Sequence, residues 1–269
     1  MLKCPNCGSS LASGHPCFIE LPSMPLGGAS QAFGCLVLFV AKRNSDRFPW
    51  SVVNDRVGGA VGRLLGMPVP DTILYRYTDE WVFFSHYVGQ PPATEGDTPP
   101  PTHTLSDRLE AVLQSDSTRE LRHGVVLYDL LIANNDRKAD NIVLGVDGRP
   151  WLIDQANSLF YRPYRVDGAD RPCGAARLAA VASDPRAMFD KTHHCLHWLT
   201  DWGLVHRWCD RIAQIPDWQL GNVVGEVPDD LLPKPEADAL VEFLMARKGR
   251  MLDIVRSCQD LFKHLPPEH

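Results

Sequence analysis

The sequence contains no apolar run long enough to cross a bilayer. Its longest, Cys35–Ala41, falls far short of the ~20 residues that a transmembrane helix needs. Nor does it carry an excess of basic charge: 27 Lys and Arg stand against 33 Asp and Glu, a formal net charge of −6. That balance gives no general attraction to nucleic acid or to an anionic membrane, so neither is expected as a partner. The first residues lack a basic segment followed by an apolar core, so no secretory signal is expected. The eight cysteines therefore read as reduced thiols rather than a disulfide framework, and the expected location is the cytoplasm. No internal repeat is present. What remains is a chain of 269 residues, 44% hydrophobic and 22% charged, which suits one large globular domain or two small ones.

Residues 1–17 differ from the rest. They are rich in Gly and Ser and carry Cys4, Cys7, His15 and Cys17. Two readings stand: four N/S ligands for Zn²⁺, or a segment without a metal role. After Pro22, Pro25, Gly27 and Gly28, the run Phe33–Ala41 reads as one buried strand ending at Lys42. Val53, Val57, Val61, Leu64 and Leu65 recur at helical spacing until Gly66 and Pro68 stop them. Three glycines, Gly58, Gly59 and Gly62, sit inside that helix at up to ~1 kcal/mol each relative to Ala. "TILYRY" and "EWVFFSHYV" read as two strands around Thr78-Asp79.

A Pro-rich stretch then marks the best internal boundary, after which the pattern turns helical. Leu105, Leu109, Val112 and Leu113 share one face. Leu121, Val125, Tyr128 and Ile132 share another, behind a Ser117/Thr118 cap with Glu120 nearby. Residues from Leu240 to Cys258 trace one long amphipathic helix.

Between these helices lies "NNDRKADNIVLGVDGRPWLID", Asn134 to Asp154. Asp147-Gly148 signals a two-residue hairpin turn. In that register Val146 faces Arg149, Leu144 faces Trp151, Ile142 faces Ile153, and Asn141 faces Asp154. Opposed residues have Cβ atoms roughly 4.5–5.5 Å apart, so a carboxamide and a carboxylate would point at one place. Two oxygen ligands on one ribbon suit Mg²⁺. Pro150 cannot donate to a ladder, so the ribbon should be an edge or bulged there, and a bulge would move the register by one. Asp136, in the loop before Asn141, is placed to orient a hydroxyl and accept its proton.

The order Asp136, Asn141, Asp154 across a hairpin resembles the protein-kinase-like layout of catalytic Asp, metal Asn and metal Asp. "NNDRKADNIVL…WLID" is similar to the HipA-like and phosphatidylinositol-kinase-like branches. "GGASQAFGCLVLFVAK…VVNDRVGGAVGRLLGMPVP" resembles the HipA-like domain, with a Gly/Ser loop, a strand ending in Lys, and a helix finishing in Leu-Gly-x-Pro-x-Pro. The resemblance spans about residues 22–258.

It implies an α+β, bilobal protein-kinase-like fold. The N-lobe (18–90) would hold an antiparallel sheet with one helix. A Pro-rich linker (91–104) would lead to a mainly helical C-lobe (105–269) carrying the catalytic hairpin. By the same resemblance, Gly27, Gly28 and Ser30 would lie over the nucleotide phosphates and Lys42 would bind the α/β phosphates. Asp55, where the family usually has Glu, would hold Lys42. Phe84, Ser85, His86 and Tyr87 would form the hinge that meets adenine. Asp136 would orient and deprotonate the acceptor, and Asn141 and Asp154 would hold Mg²⁺.

The implied function is an ATP- and Mg²⁺-dependent phosphotransferase, a HipA-like Ser/Thr protein kinase acting on a protein hydroxyl. The implied partners include an antitoxin-like or regulatory protein. Two alternatives stay open: a small-molecule or lipid kinase of the same fold, and a nucleotide-binding module without catalysis. Gln155-Ala156 after Asp154, in place of a glycine-bearing element, motivates the second. Arg137 either steadies its loop or a phosphate, or is solvated. "HHCLHW" (His193–Trp198) reads as a polar helix surface rather than a metal site.

Overall fold

The computed structural model describes residues 21–26, 32–34, 39–88, 102–145, 147–161, 173–189 and 193–268, with backbone alone for 21–26, 32–34 and 102–107. Strands β1 (Leu21–Leu26) and β2 (Ala32–Gly34) pair antiparallel. A second antiparallel sheet contains β3 (Phe39–Arg43), β4 (Thr72–Tyr77) and β5 (Glu80–His86) in the order β3-β5-β4. Helix α1 (Ser51–Leu64) packs against all three of its strands. The described residues of the apolar run expected as a buried strand fall in β2 and β3. Moreover β3 is largely exposed, with Phe39 at 40% and Val40 at 43%. Among the described strands it lies at the edge of a small sheet, and α1 covers one face.

The three glycines of α1 are there for close packing. A Cβ on Gly58 would lie 3.0 Å from the Gln155 Cβ, and one on Gly62 2.8 Å from a Val69 methyl. The Tyr128 hydroxyl donates to Gly58 O at 2.7 Å. The lost helix propensity is offset by letting α1 sit directly on the segment after Asp154. Gly66 (φ +69) then ends the helix, with Gly66 N bonded to Arg63 O and Met67 N to Gly62 O, each at 2.9 Å. That paired closure is the Schellman motif.

The C-terminal part begins with α2 (Thr102–Gln114) and α3 (Arg119–Leu131), so the first helix starts inside the stretch expected as linker. Thr118 does not cap α3 with its side chain; its hydroxyl instead donates to Val112 O at 2.8 Å and to Ser115 O at 3.0 Å. It closes the end of α2 rather than the start of α3. Helix α3 runs through the core, with Val126, Leu127 and Leu131 fully buried. The hairpin β6 (Ile142–Leu144) and β7 (Pro150–Leu152) follows.

Helices α4 (Ala175–Ser183), α5 (Trp202–Ala213), α6 (Asp217–Gly225), α7 (Lys234–Lys248) and α8 (Met251–Ser257) complete the chain. The long helix expected over Leu240–Cys258 is therefore two, interrupted at Gly249 and Arg250. The break lets Leu240, Phe243 and Leu244 on one piece and Met251, Ile254 and Val255 on the other all reach the core. The architecture is α+β, a small antiparallel sheet with one helix beside a helical part. No helix among the described residues is long and apolar enough to cross a membrane.

Candidate active site

The hairpin register differs by one residue from the expectation. Ile142 pairs with Leu152, Val143 with Trp151 and Leu144 with Pro150. The loop is one residue longer than a two-residue turn: Gly145 N bonds Arg149 O at 2.7 Å and Gly148 N bonds Gly145 O at 3.0 Å. Gly148, at φ +76, takes the left-handed position of a three-residue hairpin loop. Pro150, which has no N–H to give, is the first residue of β7, a place a strand tolerates it.

Asn141 is consequently opposite Ile153, whose N–H donates to Asn141 O at 3.0 Å. Asp154 is one step past the ladder, and its φ of +59 turns the chain sharply out of the strand. Asp tolerates that left-handed conformation better than most residues. The turn brings its carboxylate to Lys42.

Lys42 Nζ lies 2.9 Å from Asp154 Oδ1 and 2.9 Å from Asp55 Oδ2. The shorter Asp thus reaches the lysine directly from α1. The other oxygen of Asp55 accepts from Gln155 N at 2.7 Å. Its neighbour Asn54 donates to Ala156 O at 2.8 Å and accepts from Phe160 N at 3.1 Å. Two consecutive residues of α1 therefore hold both the lysine and the segment after Asp154.

One lysine cannot fully compensate two carboxylates. Asp55, 1% exposed, is pushed up to about 6 by burial and, more weakly, by Asp154, against the pull of Lys42 and the Gln155 amide. Burial also opposes ionisation of Asp154, but Lys42 and the Ala156 N–H outweigh it and hold its pKa below the usual range. Burial favours neutral Lys42, yet Asp55 and Asp154 together raise its pKa.

Asp136 is half-buried in the loop between α3 and β6. Its Oδ2 accepts from Asn157 Nδ2 at 2.8 Å and its backbone N donates to Asn134 Oδ1 at 3.3 Å. Asn141 Nδ2 donates to Asp136 O at 2.7 Å. That bond fixes which end of the carboxamide is nitrogen, and hence where its oxygen points.

Arg137 is not solvated. It and Asp129 of α3 are both 0% exposed. Its Nε and one terminal nitrogen hold the two Asp129 oxygens at 3.0 and 2.9 Å, a bidentate pair. The remaining nitrogen donates to Asn141 O at 3.2 Å and to Ile153 O at 2.9 Å. One guanidinium thus ties the core helix to both strands of the hairpin where they approach the site. Asp129 also accepts from Asn134 Nδ2 at 2.8 Å and from His193 Nε2 at 3.2 Å. His193 accepts from Cys195 N at its Nδ1, so its proton sits on Nε2. Burial works against the Asp129 charge, but Arg137 and His193 hold the carboxyl at about 2. The expectation of a polar helix surface at His193–Trp198 is therefore wrong for His193. Only a short 3-10 turn forms there, and His193 is a core residue.

Phe84, Ser85 and His86 belong to the middle strand of their sheet. Phe84 pairs with Ala41 and Ile73, Ser85 with Val40 and Thr72, and His86 with Phe39, while His86 N donates to Asp71 O at 2.9 Å. Among the described residues, three of the four expected hinge residues therefore lie within a strand ladder rather than past its end. Gly27, Gly28 and Ser30, and the candidate zinc ligands Cys4, Cys7, His15 and Cys17, lie outside the described residues. Among the described residues no group of three or more His, Cys, Asp or Glu is arranged to hold a metal.

Sequence reasoning missed Asp129, His193 and Asn157. A carboxylate between Tyr128 and Leu130 in an apolar helix was the one signal for Asp129. His193 stands out in "HHCLHW" but reads there as surface, and nothing in the local pattern marks Asn157.

Comparison with known proteins gives the fold a precedent. No family model matches the sequence, and no curated protein matches it. Among solved structures, the Helicobacter pylori proinflammatory kinase CtkA superposes with a TM-score of 0.54 at 13% identity, over 92% of this chain and 96% of that one. The Shewanella oneidensis toxin–antitoxin system HipA, in complex with HipB and operator DNA, superposes with a TM-score of 0.48 at 14% identity. That match covers 85% of this chain and 62% of that one. The fold is kinase-like.

Proposed function

From the kinase-like fold and the geometry around Lys42, we propose that this chain is an ATP- and Mg²⁺-dependent phosphotransferase, a HipA-like kinase of protein Ser/Thr hydroxyls. The observation that carries this reading is Lys42 held 2.9 Å from both Asp55 and Asp154. A lysine tied to a helix carboxylate and beside a metal-binding aspartate is the arrangement that phosphoryl transfer needs. Lys42 binds the α/β phosphates, and Asp55 keeps it in place. Asn141 and Asp154 are the residues that would hold Mg²⁺. Their donor set fits: one ionised carboxylate and one carboxamide oxygen, hard ligands that leave room for phosphates and water. When bound, the cation neutralises charge on the β and γ phosphates. Asp136 aligns the acceptor hydroxyl and takes its proton as the acceptor oxygen bonds to the γ-phosphorus and the bond to ADP breaks.

The test is transfer of labelled γ-phosphate from Mg²⁺-ATP to the protein itself or to a panel of protein and small hydroxyl acceptors. Wild type is expected to label protein, and Asp154→Ala to lose both transfer and magnesium-dependent ATP binding. ATP binding with no transfer to any acceptor would replace this reading with a non-catalytic module. Transfer to small hydroxyls alone would remove the protein substrate.

Acidity gives an independent check. A carboxyl raised to about 6 takes up a proton as pH falls through that value, and its ion pair with Lys42 is then lost. Asp55→Asn mimics the protonated state at every pH. The ratio of wild-type to Asp55→Asn transfer rates is therefore expected to be large near about pH 8 and to approach one near about pH 5. A ratio that is flat across that range would dissociate Asp55 from the activity.

A further inference from the structure

Asp136 has a neighbour brought to it from twenty-one residues away in sequence: Asn157, whose Nδ2 donates to Asp136 Oδ2 at 2.8 Å. Backbone contacts fix where Asp136 sits, through Asn134 and Asn141. They do not fix how its carboxylate is rotated. The bond from Asn157 restricts that rotation.

Asn157 is itself held on two sides. Its carbonyl accepts from Asn135 N at 3.4 Å, which ties it to the loop that carries Asp136. The segment around it is clamped by α1, with Gln155 N on Asp55, Ala156 O on Asn54 and Phe160 N on Asn54. Those are the same helix and the adjacent residue that hold Lys42. A shift of α1 away from its seat would break the Lys42–Asp55 pair and the bonds of Asn54 and Asp55 to the 155–160 segment together.

We propose that Asn157 is a positioning residue that orients the Asp136 carboxylate, and that Asn54 makes this orientation conditional on α1 being seated. The inference rests on the phosphotransferase reading. It deepens that reading by coupling two halves of the site that lie on different parts of the fold: the lysine is aligned by Asp55, the base by Asn54 acting through Asn157, and both respond to one helix.

Steady-state kinetics of the full chain test it. Asn157→Ala is expected to lower kcat about tenfold, the loss of one oriented hydrogen bond. KM for ATP and the melting temperature should stay near wild type. The isosteric Asn157→Asp cannot donate and is expected to lose at least as much; it carries the comparison if the alanine variant does not fold. In an Asp136→Ala background, Asn157→Ala should lower the residual rate no further, because the carboxylate it orients is gone. Asn54→Ala should reproduce the kcat loss and add nothing to Asn157→Ala. Wild-type kcat in both Asn157 variants, or the same fold-loss in the Asp136→Ala background, would overturn the role of Asn157. Additive losses from Asn54→Ala and Asn157→Ala would overturn the link to α1. Absence of transfer by wild type itself is a different result, and would overturn the phosphotransferase reading on which all of this stands.

Discussion

Asp136→Ala is expected to lower the rate of phosphoryl transfer by about 10²–10⁴-fold, the usual contribution of a positioned general base. ATP binding should survive. Lys42 and Asp154, the groups proposed to meet the nucleotide and its metal, come from β3 and the end of the hairpin, whereas Asp136 is held by Asn157 in a separate loop. The loss should therefore fall on kcat and leave KM for ATP near its wild-type value. That pattern identifies an interaction made only on the way to the transition state. Single-turnover transfer assays, beside a thermal-shift titration with Mg²⁺-ATP, check it. Undiminished turnover would show that another group, or none, takes the acceptor proton. A matching loss of nucleotide binding would instead mean that Asp136 supports the site structurally.

A second substitution should act on the fold before the chemistry. Asp129→Asn keeps the shape but turns one accepting oxygen into an amide nitrogen that faces donors, and it removes the only acidic partner of the buried Arg137 guanidinium among the described residues. Breaking a buried ion pair in this way costs about 3–5 kcal/mol, because the remaining charge is left uncompensated. For a chain of this size, that corresponds to a melting temperature lower by roughly 6–20 °C.

The dependence on pH has a definite sign. The folded-state carboxyl is held at about 2, below its ordinary value of 3.8. Its contribution is therefore complete above the ordinary value and is lost as pH falls from there toward about 2. Urea unfolding of wild type and variant should show the full stability gap near neutral pH and a narrowing gap below about pH 4. A gap of under about 1 kcal/mol at neutral pH would mean that the pair is replaceable, as some buried pairs are. The same variant should also lose transfer activity, because Arg137 links Asn141 O to Ile153 O.

These two sites show different degrees of legibility. Asp136, Asn141 and Asp154 could be picked out in one stretch because their chemistry is local to a loop and a hairpin. Even there, the turn chemistry misled. Asp147-Gly148 looked like the centre of a two-residue turn, whereas Gly148 is the left-handed residue of a longer one. The pairing moved by one residue, and a backbone turn at Asp154 rather than a cross-strand pair aims its carboxylate. Helix α1 was legible by its periodicity, but its glycines read as a weakness. Only the packing of Gly58 on Gln155 and of Gly62 on Val69 explains them.

The sequence by itself determined the element types of the central region, the absence of a membrane-spanning helix among the described residues, and the candidate acid, amide and lysine groups. Those follow from periodicity, turn residues and side-chain chemistry, which are short-range properties of a chain. Tertiary structure alone decided that Arg137 is a buried strut rather than a solvated charge, since its partner Asp129 lies in the preceding core helix. It likewise decided that His193 is a core residue and that Asn157 reaches Asp136. Each of these depends on where a distant segment comes to rest. That position is set by the packing of α1, α3 and the hairpin together, and no local pattern encodes it.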